Sequence, residues 1–149
     1  MNTGAWVLLV AVLLAIGFGL YRAGVDGRFS GTHRVRGGPP TEEHPPSVLD
    51  GTDIEHTLGE RATLLQFSSA FCAPCRATRR VLADVAEIVP GVEHVEIDAE
   101  HHLELVRRLG IVRTPTTLVL DQHGREVQRA AGAPSKEQVL ASLAAVPEI

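Results

Sequence analysis

Ala70-Phe71-Cys72-Ala73-Pro74-Cys75-Arg76 holds both cysteines of the chain and lies where a strand-like run gives way to a helical one. Upstream, Ala62-Thr63-Leu64-Leu65-Gln66-Phe67 reads as a short, mostly buried strand. Downstream, Ala77, Val81, Leu82, Val85, Ile88 and Val89 recur at helical spacing. Cys72 is therefore predicted at the first turn of a helix. There the unpaired N–H groups and the positive end of the macrodipole favour a thiolate over a thiol. Such placement lowers a cysteine pKa from about 8.5 to between roughly 3.5 and 7.5, and the thiolate is the nucleophile.

Cys75, one turn further on, is placed to attack a mixed disulfide that Cys72 has formed. Pro74 has no N–H to lose in a first helical turn, and its fixed φ suits that position. Arg76 adds a cation beside the pair. A purely structural disulfide is the weaker reading, because so short a loop removes little unfolded-state entropy. A zinc half-site is weaker still. It would need two further ligands, and the candidates His94 and His101-His102 do not have the spacing of a zinc finger, so no metal is expected.

The 149 residues, 44% of them hydrophobic, allow one compact domain plus a tail or anchor. A net charge of −4 and an aromatic content of 4% argue against nucleic acid, which calls for a basic face and stacking platforms. With two cysteines there is no disulfide framework, so cysteine usage alone does not fix the compartment.

Ala5 to Tyr21 contains no charged residue, with Trp6 and Tyr21 at its two ends. At 1.5 Å per residue it covers about 25 Å, and more if counted from Thr3, against a hydrocarbon thickness of about 30 Å. Residues 1–21 are read as a single-pass transmembrane anchor with aromatic residues at both interfaces. The rival is a cleaved signal peptide, which calls for a basic start and a small-residue cleavage site; Met1-Asn2-Thr3 has no Lys or Arg, and no A-x-A follows Leu20. Arg22, Arg28, Arg34 and Arg36 all follow the span and none precedes it. The positive-inside rule then places the rest of the chain in the cytoplasm, with an extracytoplasmic domain as the alternative. Residues 22–47, with Gly37-Gly38-Pro39-Pro40 and His44-Pro45-Pro46, show no apolar period and read as a flexible tether.

From residue 48 to 149 the pattern is that of an α/β domain. After the helix that follows the cysteines, stopped by Pro90-Gly91, Val92, Val95 and Ile97 mark a strand. Glu100 to Leu109 is predicted helical, with Leu103, Val106 and Leu109 as its apolar face. Thr116 to Leu120 and Arg125 to Ala130 make a hairpin about Asp121-Gln122-His123-Gly124. Ser135 and Gln138 form a capping box for a last helix whose inward face is Val139, Leu140, Leu143 and Val146.

The stretch from about Val48 to Val146 resembles the thioredoxin family. The likeness rests on the strand before the pair, Phe71 in the place of the usual aromatic, Cys72-Ala73-Pro74-Cys75, Thr114-Pro115-Thr116 and the run from Asp121 to Lys136. The resemblance implies a thioredoxin fold: a central mixed sheet with helices on both faces and the redox pair at its edge. It implies a cis Pro115 against the pair, with Thr114 aimed at an extended substrate chain and Gly132 flanking the same groove. Two departures stand out. Gln66 occupies the place of a buried aspartate that takes the proton of the resolving cysteine, and His94 stands where a lysine usually faces it. The stronger reading of His94 is a strand histidine satisfied by a hydrogen bond, the other a substitute proton carrier that titrates near neutrality. Phe71 replaces the common tryptophan. A glutamine at this position is more at home among membrane-tethered thioredoxin-like reductases.

The sequence thus points to a membrane-tethered thiol:disulfide oxidoreductase. Protein or peptide disulfides are its substrates, an upstream dithiol protein recharges it, and it needs no cofactor beyond the cysteine pair. A proline between the cysteines, with no histidine there, favours the reducing direction. The competing reading is a redox-sensing or adaptor module with little turnover.

Overall fold

The computed structural model describes residues 3–31, 47–52 and 58–146. Its elements are α1 (Thr3–Val25), β1 (Phe29–Gly31), β2 (Ala62–Ser68), α2 (Ala73–Ile88), β3 (Val92–Asp98), α3 (Leu103–Arg108), β4 (Thr116–Asp121), β5 (Glu126–Ala131) and α4 (Lys136–Ala144). The strands form one mixed sheet in the order β1-β5-β4-β2-β3, in which β2 and β3 run parallel and the other neighbours antiparallel.

All seven residues of β2 are buried, which is what a central strand covered on both faces requires. Successive side chains point to opposite faces. Leu64 joins Leu82 and Val85 of α2 and Val139 and Leu143 of α4 on one side, with Ala62, Val92, Val119 and Val146. Leu65 and Phe67 join Leu105 of α3 on the other, with Val95, Ile97, Leu118 and Leu120. The expected sheet with helices on both faces is the one observed.

Cys72 is the N-cap of α2, and the helix stops at Val89 before Pro90-Gly91. Ser135 caps α4 with the complete box: its hydroxyl accepts from Gln138 N, and the Gln138 side chain accepts from Ser135 N. Gly124, in the β4–β5 turn, has φ +73° and donates its N–H to Asp121 O.

Several expectations about individual side chains need correction. The third helix begins at Leu103, later than expected, because Asp98 organises residues 99–102 into a turn. Its carboxylate accepts from Glu100 N at 2.8 Å and pairs with His101 Nδ1 at 2.9 Å. The shifted helix buries Leu105 and leaves Leu103 53% exposed. Ile88, at the last position of α2, and Leu140, one residue round from Val139 on α4, are also on the surface.

The larger correction concerns residues 22–47, read as a tether. Of these, residues 22–31 are the end of α1, a turn and a strand, so the sheet takes its edge strand from before residue 48. A strand of three residues held by main-chain pairing to β5 leaves no apolar period to read. Residues 32–46 lie outside the described residues. Helix α1 is long and apolar enough to cross a membrane over Thr3–Arg22, and none of that stretch is covered by the rest of the protein; a signal sequence would have the same appearance.

Candidate active site

Cys72 and Cys75 are joined as a disulfide with their Cα atoms 5.2 Å apart. The two sulfurs differ in environment. Cys72 is partly exposed, whereas Cys75 is 3% exposed, so an incoming group reaches Cys72 first. The Cys75 N–H donates to Cys72 Sγ at 3.1 Å. An N–H at a helix N-terminus directed at a sulfur favours the thiolate over the thiol. Pro74 lies in the first turn of α2, and Phe71 is fully exposed at the rim.

The loop before β4 stands beside this pair. The Thr114–Pro115 peptide bond is cis. Ser69, at the end of the strand that leads to Cys72, and Thr114 share a hydroxyl–hydroxyl hydrogen bond of 3.0 Å, which ties the two loops together. Pro115 O accepts from Gly132 N at 2.8 Å, so the start of the post-β5 loop is fixed to the same backbone. Gly132 has φ +103°, a region that favours glycine. The structure therefore brings Thr114, Pro115 and Gly132 together as one edge near the redox pair. Ser69, which sequence reasoning missed, is the link.

Beneath the pair, Gln66 is fully buried. Its Nε2 donates to Cys75 O at 3.0 Å, and its Oε1 faces His94 Nε2 at 3.2 Å. With the amide so oriented, His94 Nε2 carries the proton and donates. His94 is half-buried, and that burial lowers its pKa below the ordinary histidine value; the nearby Glu96 charge raises it and the Arg79 charge lowers it further. At neutral pH the ring is uncharged.

On the side of Arg79, a cleft of about 340 Å³ is lined by Ser68, Ser69, Cys72, Cys75, Arg76, Arg79, Glu96 and Asp98. Burial pushes the Glu96 carboxyl up, but hydrogen bonds from Arg79 and Ser68 and the Arg79 charge outweigh it, so its pKa is lowered. Glu96 is thus a fixed anion and a weak base. Its arrangement with Arg79 was not anticipated, because partners from α2 and β3 are far apart in sequence. Of the other candidates, His101 is a surface partner of Asp98, and His102 Nδ1 lies 3.0 Å from Asp98 O. Among the described residues no cluster of His, Cys, Asp or Glu could hold a metal ion.

A buried sulfur joined to an accessible sulfur at a helix N-terminus can exchange disulfides. Comparison with known proteins agrees. The model of the thioredoxin-like domain matches residues 54–147. The thioredoxin of Alicyclobacillus acidocaldarius is 35% identical over 101 residues, which span 67% of this chain and 95% of that protein. Thioredoxin H-type 1 of Nicotiana tabacum is 31% identical over 112 residues, 75% of this chain and 79% of that one. The crystal structure of thioredoxin NaTrxh from Nicotiana alata superposes with a TM-score of 0.53 at 26% identity, covering 60% of this chain and 76% of that chain. This chain belongs to the thioredoxin-like family and is a thiol–disulfide oxidoreductase.

Proposed function

We propose that the chain is a membrane-tethered protein-disulfide reductase working through Cys72-Ala73-Pro74-Cys75. The reduced enzyme attacks a substrate disulfide with the Cys72 thiolate. A Cys72–substrate mixed disulfide forms, and the substrate's other sulfur leaves as a thiolate. Cys75, once deprotonated, attacks Cys72 Sγ, releases the second substrate sulfur and closes the intramolecular disulfide. The substrate has gained two electrons and the enzyme has lost two. An upstream dithiol protein restores the enzyme by the reverse exchange. The observation that carries this reading is the unequal exposure of the two sulfurs, with the accessible one receiving the helix N-terminal N–H.

The edge of Thr114, Pro115 and Gly132 serves the substrate chain: an extended peptide pairs with the backbone there while Phe71 covers its side chains. Deprotonation of Cys75 is assigned to His94. Gln66 cannot titrate, and Glu96 is held ionised by Arg79. His94 is neutral with its Nε2–H given to Gln66, whose amide cannot relay a proton, so it is Nδ1 that would take the Cys75 proton, through water. Helix α1 serves as the anchor, and the arginines that follow it favour a cytoplasmic domain.

Gln66 also supports the second reading, an adaptor with little turnover. The test is reduction of insulin disulfides by the full chain in detergent with a dithiol reductant, in wild type and Cys75→Ser. A reductase turns over, and the variant loses turnover and traps mixed disulfides with insulin. Absence of wild-type turnover would leave the adaptor. Retention of the chain in the membrane after carbonate extraction, together with a reporter fused after Ile149 that fluoresces in the cytoplasm, tests the anchor and its orientation.

A further inference from the structure

The chain leaves α1 at the side of the sheet that carries the redox pair. In the registers Phe67↔Thr116, Thr116↔Ala131 and Phe29↔Ala130, the end of β2, the start of β4, the end of β5 and the start of β1 lie together. Asp26, Gly27 and Arg28 alone separate α1 from β1.

This short junction is fastened to the substrate edge. Arg113 Nη2 donates to Asp26 Oδ1 at 2.8 Å and to Ala131 O at 2.6 Å. Gly27 N donates to Ala131 O at 3.0 Å. Gly27 has φ +76°, and a Cβ there would lie 2.3 Å from Ala133 O, so the turn has no room for a side chain. A Cβ on Gly132 would in turn lie 3.0 Å from Gly27 N. Arg113 adjoins Thr114, which is bonded to Ser69, three residues before Cys72. A continuous path of contacts therefore joins the end of α1 to the reacting sulfurs.

The distances are short on the scale of a bilayer. The 23 residues of α1 reach about 35 Å at 1.5 Å per residue, only about 5 Å more than the hydrocarbon core. Three connecting residues add at most about 10 Å even if fully extended.

Resting on the proposed anchored reductase, we propose that its substrates are disulfides of other membrane-embedded proteins, presented at the bilayer surface. The helix and the junction hold Cys72 at that level and out of reach of disulfides carried far above it.

The experiment uses the full chain in lipid vesicles. The probes are two transmembrane peptides with the same disulfide-closed loop, set either directly at the span or beyond a semi-rigid helical spacer of about 40 residues, which extends about 60 Å. The wild type is expected to reduce the near loop about tenfold faster or more, since effective concentration collapses when a tether cannot span the distance. A flexible Gly/Ser insert of about 30 residues between Arg28 and Phe29 is expected to bring the two rates within about twofold, with insulin turnover in detergent unchanged. Equal wild-type rates on near and far loops would overturn the inference, as would a preference that the insert leaves intact. Insulin turnover and membrane retention are measured in parallel. Their loss in the wild type refutes the anchored reductase itself, whereas equal rates with both intact refute only the placement. If that insert variant does not fold, the same insert placed between Val25 and Asp26, which leaves the Asp26–Arg113 and Gly27–Ala131 contacts in place, is expected to remove the preference equally.

Discussion

Gln66 Nε2 donates to the main-chain carbonyl of Cys75 at 3.0 Å, so the fully buried residue under the redox pair holds the backbone of the cysteine that is hidden from solvent. The same amide accepts from His94, which makes Gln66 the joint between α2 and β3.

Gln66→Leu keeps the volume but removes both hydrogen bonds. Leaving buried polar partners unpaired costs about 1–3 kcal/mol. The urea midpoint of the oxidised full chain in detergent at pH 7 is expected to fall accordingly, and an unchanged midpoint would show that the amide adds nothing to stability.

The lowered pKa of His94 has a defined sign. The folded state disfavours the charged ring, so the unfolded chain binds a proton first as the pH falls. The contribution is fully present above the ordinary value of 6.5 and is lost as the pH falls from there towards the lower folded pKa. Thermal midpoints between pH 8 and pH 5 are expected to drop for the wild type in this window and to be flatter for His94→Asn. A wild-type curve no steeper than the variant's would contradict the burial argument. Turnover provides a second readout, since the assigned proton carrier predicts that the variant loses the rise of the resolving step with pH.

Reduced Cys72 is expected to be alkylated by iodoacetamide with a pKa well below the free-thiol value of about 8.5. The Cys75→Ser background isolates this sulfur. A titration midpoint at or above about 8.5 would show that the N–H groups at the start of α2 do not stabilise the thiolate.

The fold was legible because its signals are local. The helical spacing of Leu82 and Val85, the Ser135–Gln138 box and the turn at Asp121 to Gly124 each lie within a few residues, and all three are present. The same is true of the redox pair, since a cap and its helix are neighbours in sequence. Contacts made across long loops were not legible. Ser69 with Thr114, Arg79 with Glu96 and Arg113 with Asp26 depend on which elements become adjacent. Periodicity also fixes a helix without fixing its phase: the Asp98 turn rotates α3, so that Leu105 and not Leu103 faces the sheet. Strand β1 escaped because three residues bonded through the main chain carry almost no compositional mark.

That strand matters for anyone preparing a soluble fragment. Cutting before Val48 would remove Phe29, Ser30 and Gly31 and strip the outer row from β5, leaving its Gln128, Arg129 and Ala130 without their strand partners on that side. Bare N–H and C=O groups on a sheet border are a template for pairing with a second chain. A fragment starting at Phe29 keeps β5 covered by the short β1, while one starting at Val48 invites self-association through β5.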